Sequence, residues 1–380
     1  MKFVVSASVL LKHLTDVSRI MSAKVNISML NYATLTVREQ MLTLRYTDLT
    51  VTIVTSFPLE AIEEEGEVCV PLKLLMESVK GTPDVPLHFE IDAAEGLAKV
   101  SFDDGMRQGE WSFNVVGSEE YYEMPEIEEA HATSVDLTTE VVVEGLDKTL
   151  FCSAGVNTKN QVNLSAVHME FTPDGMWFGA TDMRRIAKCV YSDVRVEKTS
   201  SVTLHSKTAQ VIAALLPSTA EALQISFDDR KILFSTPSVQ VYSLLSEDRY
   251  PSVNEFLEQP VSHEVIVNTR LLLDSVRQLA PFSTPSTMNA QYEFSDSKIE
   301  LQAYSETYNA SATQLIASEY SGEPFKIMLS IPMFSEALAK IPSQEVVLQF
   351  DENCTFVIMR PAQAEAEGVD YMIYLASMIL

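Results

Sequence analysis

Glycine is scarce in this chain, with 12 among 380 residues, about half the usual share. No P-loop, G-x-G-x-x-G or G-x-S-x-G pattern occurs, which excludes the familiar phosphate-cradling loops and the nucleophile elbow. Cysteine is scarce as well. Cys69, Cys152, Cys189 and Cys354 stand far apart with no paired spacing, the pattern of free thiols in a reducing compartment. The six histidines are equally scattered, so no Cys/His cluster has metal-ligand spacing and no cofactor is expected. Positive charge is short, with 27 Lys and Arg against 53 Asp and Glu and a net charge of −26. Taken alone, that argues against nucleic acid and anionic membrane surfaces as partners. No apolar run approaches the ~18 residues of a membrane span. The opening MKFVVSASVLLKHL is broken by Ser6 and Ser8 and carries Lys12 and His13 where a cleavage site needs small residues. It reads as a strand running into a helix, not as a signal peptide. A soluble protein of the cytoplasm is the expectation.

What is present is a pattern of elements written three times. Amphipathic segments at 8–21, 139–153 and 269–280 each lead into alternating strands. Second helices follow at 71–80, 206–216 and 332–341, the first stopped by Gly81-Thr82-Pro83 and the others by Pro217 and Pro342. The spacing is roughly 130 residues, too long for a solenoid repeat and right for a domain. Aromatic-proline linkers fall at 118–134 and 246–262. The reading is an α+β fold of three tandem domains (1–126, 127–256 and 257–380), each with two helices packed on antiparallel sheet.

The helices carry a charge pattern that the composition hides. Lys12-Asp16-Arg19, Lys73-Glu77-Lys80 and Arg270-Asp274-Arg277 repeat a basic–acidic–basic triplet at i, i+4 and i+7, one helix face each. Across the six helices, nine Lys/Arg (Lys148 among them) stand against seven Asp/Glu, so the negative charge belongs to the sheets and loops. The exception is 139–153, whose face shows Glu140, Glu144 and Asp147. Catalysis finds no support. His168 and Cys189 fall in apolar strands as core residues, and Asp103-Asp104 and Asp228-Asp229 sit in hairpin turns.

The stretch GATDMRRIA, residues 179–187, sets Arg184 and Arg185 behind a Thr181-Asp182 turn between two strands. There, two guanidinium stems are expected to wall a shallow apolar groove with their heads in water. With this turn, the MKF…LLK…L opening, Asp248-Arg249-Tyr250-Pro251 and the apolar end 374–380 in view, the chain resembles the bacterial DNA polymerase III beta subunits, the replicative sliding clamps, over its whole length.

The resemblance implies a non-catalytic processivity factor: two copies pair head to tail into a six-domain ring around duplex DNA, with helices lining the hole. It implies, as partners, the polymerase III catalytic subunit, the clamp loader, other polymerases, ligase and mismatch-repair proteins, and a cytoplasmic, nucleoid-associated location. By position, Lys24 and Lys207 match DNA-contacting residues; Lys12, Lys73 and Lys80 are added from the helix-face argument. A groove for short Q-L-x-L-F-like peptides would lie between the second and third domains. Its residues would be Leu164, Thr181, Met183, Arg184, Arg185, Ile186, Pro251, Ser330, Met333, Thr355, Tyr374, Leu375, Ala376 and Met378. The dimer seam would include Trp111, Phe113 and Phe282. Departures fall in the groove. Met183-Arg184 replaces the usual Gly-His, Ala376-Ser377-Met378-Ile379 replaces M-P-[MV]-R, and Ser330 and Met333 replace an Asn and a Tyr. Met183 is expected to crowd the groove. A divergent acidic scaffold that binds peptides but never encircles DNA is the other reading, favoured by the acidic face of 139–153.

Overall fold

The computed structural model describes residues 1–22, 27–128, 132–155, 164–364 and 366–378. Two compact units emerge: Met1–Val143 with Val211–Leu245, and Glu144–Gln210 with Ser246–Leu380.

In the first unit, helix Ala7–Ser18 buries Ala7, Leu10, Leu14 and Val17, and helix Leu72–Lys80 buries Leu72, Leu75 and Val79. These stripes pack against each other, and each fully buried Leu or Val contributes roughly 1.5–3 kcal/mol. The first helix stops short of Met21, because the Arg19 amide turns back to the Asp16 carbonyl at 3.3 Å. A five-stranded sheet ends on the strand Gln108–Asn114. A nine-stranded antiparallel sheet has at its centre the pairing of Val51–Pro58 with Val239–Leu244, in the register Ile53↔Val241. That pairing joins strands from either side of the first linker.

The second unit repeats the device. Its eight-stranded sheet is centred on Arg185–Tyr191 paired with Val369–Ala376, in the register Ile186↔Tyr374 and Lys188↔Met372. A four-stranded sheet runs Ala310–Ala317, Lys298–Ser305, Asn289–Ser295 and Phe325–Ser330. Helix Thr269–Leu279 is capped by Asn268 Oδ1, which accepts from the Leu271 amide at 2.9 Å, and packs on helix Ile331–Leu338. The amphipathic stretch 139–153 divides into helix Thr139–Thr149 and a short 3-10 turn, Leu150–Cys152. No helix among the described residues is long and apolar enough to cross a membrane.

Candidate functional site

The Thr181-Asp182 turn builds itself from short-range hydrogen bonds. Thr181 Oγ1 accepts from the Met183 amide at 3.0 Å and donates to the Arg185 carbonyl at 2.8 Å. Asp182 Oδ1 accepts the Arg184 and Arg185 amides, both at 3.0 Å. This geometry forces Met183 to a φ of +70°, a left-handed conformation that suits glycine and costs other residues ~1 kcal/mol. Met183 is 58 % exposed at the tip, and the apolar floor forms without it. The strain it adds falls on the turn's backbone.

The expectation that both guanidinium heads stay in water holds only for Arg184, which is exposed. Arg185 is pinned. Its Nε donates to Asp182 Oδ2 at 3.0 Å and its Nη1 to Glu336 Oε2 at 2.6 Å, and the group lies over the Phe151 ring. Burial works against its charge, but the Glu336 hydrogen bond and the Asp182 carboxylate more than offset that and hold its pKa above the ordinary arginine value. The side chain is 12 % exposed, so Arg185 braces the turn against helix Ile331–Leu338.

Beside the turn lies an apolar cluster of Ile186, Tyr250, Val253, Leu257, Phe356 and Met372, with Tyr374 packed on it. Tyr374 stacks on Phe356 at 5.1 Å and meets the edge of Phe256 at 6.1 Å. Phe256 is 38 % exposed. Sequence reasoning missed it, although an aromatic five residues after Pro251 in a polar linker was a readable signal. The chain's end is laced down beside these rings. Ala376 donates to the Arg184 carbonyl, Ser377 to Thr355 and Met378 to Met328, each at 2.8 Å.

The tail thus ties Ala376 to Arg184, Ser377 to Thr355 and Met378 to Met328 next to Tyr374, with Met183 exposed at the tip of the turn. Pro251 is half-buried in the segment that supplies Phe256, and Ser330 and Met333 are half-buried at the start of the helix that supplies Glu336. Leu164, Thr181, Ile186 and Leu375 are buried, and of these Ile186 belongs to the apolar cluster. His168 underlies the same face. It stacks on Tyr250 at 4.9 Å, with Nδ1 3.0 Å from Thr203 Oγ1, and burial lowers its pKa to about 4. With Cys189 also buried, the pair is core, as read from the sequence.

Lys12, Lys73, Lys80 and Lys207 are exposed on their helices; Lys24 lies outside the described residues. Helix Thr139–Thr149 corrects two expectations. Lys148 is buried, paired with Glu144 and covered by the Tyr371 ring, so it does not belong to an exposed basic face. Asp147 is paired with Lys340 at 2.7 Å. Two of the three acids that made this face look hostile to DNA are already matched by cations.

Trp111 and Phe113 lie on the edge strand Gln108–Asn114, their rings 6.1 Å apart. Phe113 is buried and Trp111 half-buried. Phe282, 38 % exposed, closes the 3-10 turn after helix Thr269–Leu279. No group of three or more His, Cys, Asp or Glu arranged to hold a metal occurs among the described residues.

Residues 1–125 match the family model of the DNA polymerase III beta subunit, N-terminal domain, and residues 136–252 match that of its central domain. The chain belongs to the DNA polymerase III beta subunit family. Its fold is that of the sliding clamps and its function is that of a DNA sliding clamp. It is 25 % identical over 331 residues to the beta sliding clamp of Synechococcus elongatus, covering 85 % of this chain and 84 % of that one. Over 363 residues it is 22 % identical to the clamp of Bacillus subtilis, covering 92 % and 93 %. Among solved structures, the Pseudomonas aeruginosa DNA polymerase III subunit beta superposes with a TM-score of 0.89 at 20 % identity, covering all of both chains. The Bacillus subtilis sliding clamp does so with a TM-score of 0.90 at 19 % identity, covering 100 % of this chain and 99 % of that one.

Proposed function

We propose that two copies of this chain close head to tail around duplex DNA and that the groove beside the Thr181-Asp182 turn docks short apolar peptides of DNA-processing proteins. The observation that carries the second part is the set of partly exposed rings, Tyr374 and Phe256, held over a buried floor between a braced turn and a laced-down tail. A braced, mostly apolar site of this kind suits a peptide hook of two or three apolar side chains. The polymerase III catalytic subunit, the clamp loader, other polymerases, ligase and mismatch-repair proteins are its proposed users, taking turns in the cytoplasm. The protein itself performs no catalysis.

For DNA, the support is the distribution of charge. Exposed Lys12, Lys73, Lys80 and Lys207 on helices of a −26 chain give weak, sequence-independent contacts with phosphates, while the acidic remainder repels DNA. Attachment by encirclement needs little affinity. For closure, the edge strands Gln108–Asn114 and Ala310–Ala317 are suited to pair across copies in a heterologous contact. Leu315, 61 % exposed on the second edge, and Phe282 would be covered there, with Trp111 opposite. The division at 1–126, 127–256 and 257–380 is retained, supported by the spans of the two family models.

The test is retention on nicked circular plasmid after loading by the cognate loader with ATP, followed by a high-salt wash and linearisation. Retention that resists salt and vanishes on linearisation is expected. Retention that survives linearisation and falls with salt would mean ordinary electrostatic binding instead.

A further inference from the structure

We infer that a partner's contact does not end at the apolar groove: an uncharged, hydrogen-bonding segment flanking its hook lies across the outer face of the four-stranded sheet. This rests on the groove reading above. Register sets Thr313 opposite Gln302, Gln302 opposite Gln291 and Gln291 opposite Met328, one transverse row over all four strands. The row ends at the groove, because the Met328 carbonyl accepts the Met378 amide at 2.8 Å.

A cleft of about 450 Å³ opens along this row, and none of its ten lining residues is charged. In a chain with a net charge of −26 that is a distinct surface. The adjacent row is charged, with Glu300 opposite Glu293 and Glu293 opposite Lys326, and it borders the neutral strip on one side. Asn289 lines the cleft, and its Oδ1 is buried without a hydrogen-bond partner among the described residues; turning the side chain toward the cleft would let a donor from a bound chain satisfy that acceptor. Tyr304, 54 % exposed, adds a flat apolar face with a polar tip. Amides, hydroxyls and a ring exchange hydrogen bonds with peptide backbone and with Ser, Thr, Asn and Gln. They offer no cation to a phosphate or carboxylate, so a nucleic acid strand or an acidic tail is a poor fit. The occupant that fits is an extended, Ser/Thr/Asn/Gln-rich stretch continuous with the hook.

The test uses the full chain and fluorescence anisotropy with three labelled peptides: Q-L-S-L-F alone, and the same hook extended by S-Q-N-T-S on its N-terminal or its C-terminal side. A few added hydrogen bonds should make one extended peptide bind about tenfold tighter than the hook. Gln291→Glu, equal in size but charged, should erase that gain and leave the affinity of the bare hook unchanged, which also shows that the variant is folded. A gain under about twofold for both extensions, smaller than one typical hydrogen bond gives, overturns the inference, as does a gain that survives Gln291→Glu. Failure of the bare hook to bind is a different result and overturns the groove itself.

Discussion

Among the described residues the same Thr-Asp turn is built twice, and only the second has partly exposed rings packed on an apolar cluster beside it. At residues 47–51, Thr47 Oγ1 accepts from the Leu49 amide at 3.0 Å and donates to the Val51 carbonyl at 3.1 Å. Asp48 Oδ1 accepts the Thr50 and Val51 amides at 3.0 and 2.8 Å, and Leu49 has a φ of +74°. Each bond has its counterpart at 181–185, down to the neighbouring strand: Leu244 donates to the Thr50 carbonyl at 2.9 Å, as Ala376 does to Arg184. The scaffold is shared; what it supports is not. Where the second turn has Arg185 and Ile186, the first has Val51 and Thr52. Thr52 is buried and hydrogen-bonds to Thr47 Oγ1 at 2.9 Å, closing with a polar contact the place where the other seam continues its apolar floor. The linker beside the first turn supplies Tyr121, which donates to the Tyr32 carbonyl at 3.0 Å and lies under the Arg45 guanidinium, whereas Tyr250 of the second linker is part of the apolar cluster. A Thr-Asp turn is thus a way of ending a hairpin, and the proposed groove depends on what is stacked behind it.

The comparison can be broken most sharply at the rings. Removing partly exposed aromatics from the centre of a peptide site typically costs 2 kcal/mol or more. The double variant Phe256→Ala/Tyr374→Ala should weaken binding of Q-L-S-L-F at least about 30-fold. Tyr242→Ala, at the matching place beside the first turn, should change it little, both read by calorimetry. Next comes the brace. Arg185→Ala leaves Asp182 and Glu336 without their shared cation and should lower stability by about 2–3 kcal/mol. Val51→Ala, its counterpart, should cost about 1 kcal/mol, and denaturant melts would report the gap.

Smaller effects test the shared scaffold. Thr181→Val removes a hydroxyl that accepts one hydrogen bond and donates another, Thr47→Val one that also accepts from Thr52, and each should cost about 1–2 kcal/mol. A large loss at one turn alone would show that the two are only superficially alike. Smallest, Met183→Gly and Leu49→Gly relieve left-handed residues. Each should raise stability by roughly 0.5 kcal/mol once glycine's extra unfolded-state entropy is counted.

The parts of this that were legible in the sequence are those fixed by near neighbours. Helix faces such as Leu10, Leu14 and Val17 follow from spacing alone, and the Thr-Asp turn is spelled out by residues that bond within four positions. The strand Ala310–Ala317 was not legible, because ASATQLIA has weak strand propensity and its pairing is set by tertiary register. Nor was the fate of charges readable. Arg185 finds Glu336 across 151 positions, and Lys340 finds Asp147 across 193. Lys148 counts as a surface cation until Tyr371 is seen to cover it. The contrast between TDLTV and TDMRR stands in the sequence, but only the hydrogen bonds show that both spell one turn.

The most direct measurement is amide hydrogen exchange of the full chain with and without saturating Q-L-S-L-F. Slowed exchange at 181–186, 250–257 and 372–378, with no change at 47–52 and 239–244, is the result this account predicts. Equal protection at both turns, or protection at 47–52 alone, would contradict it.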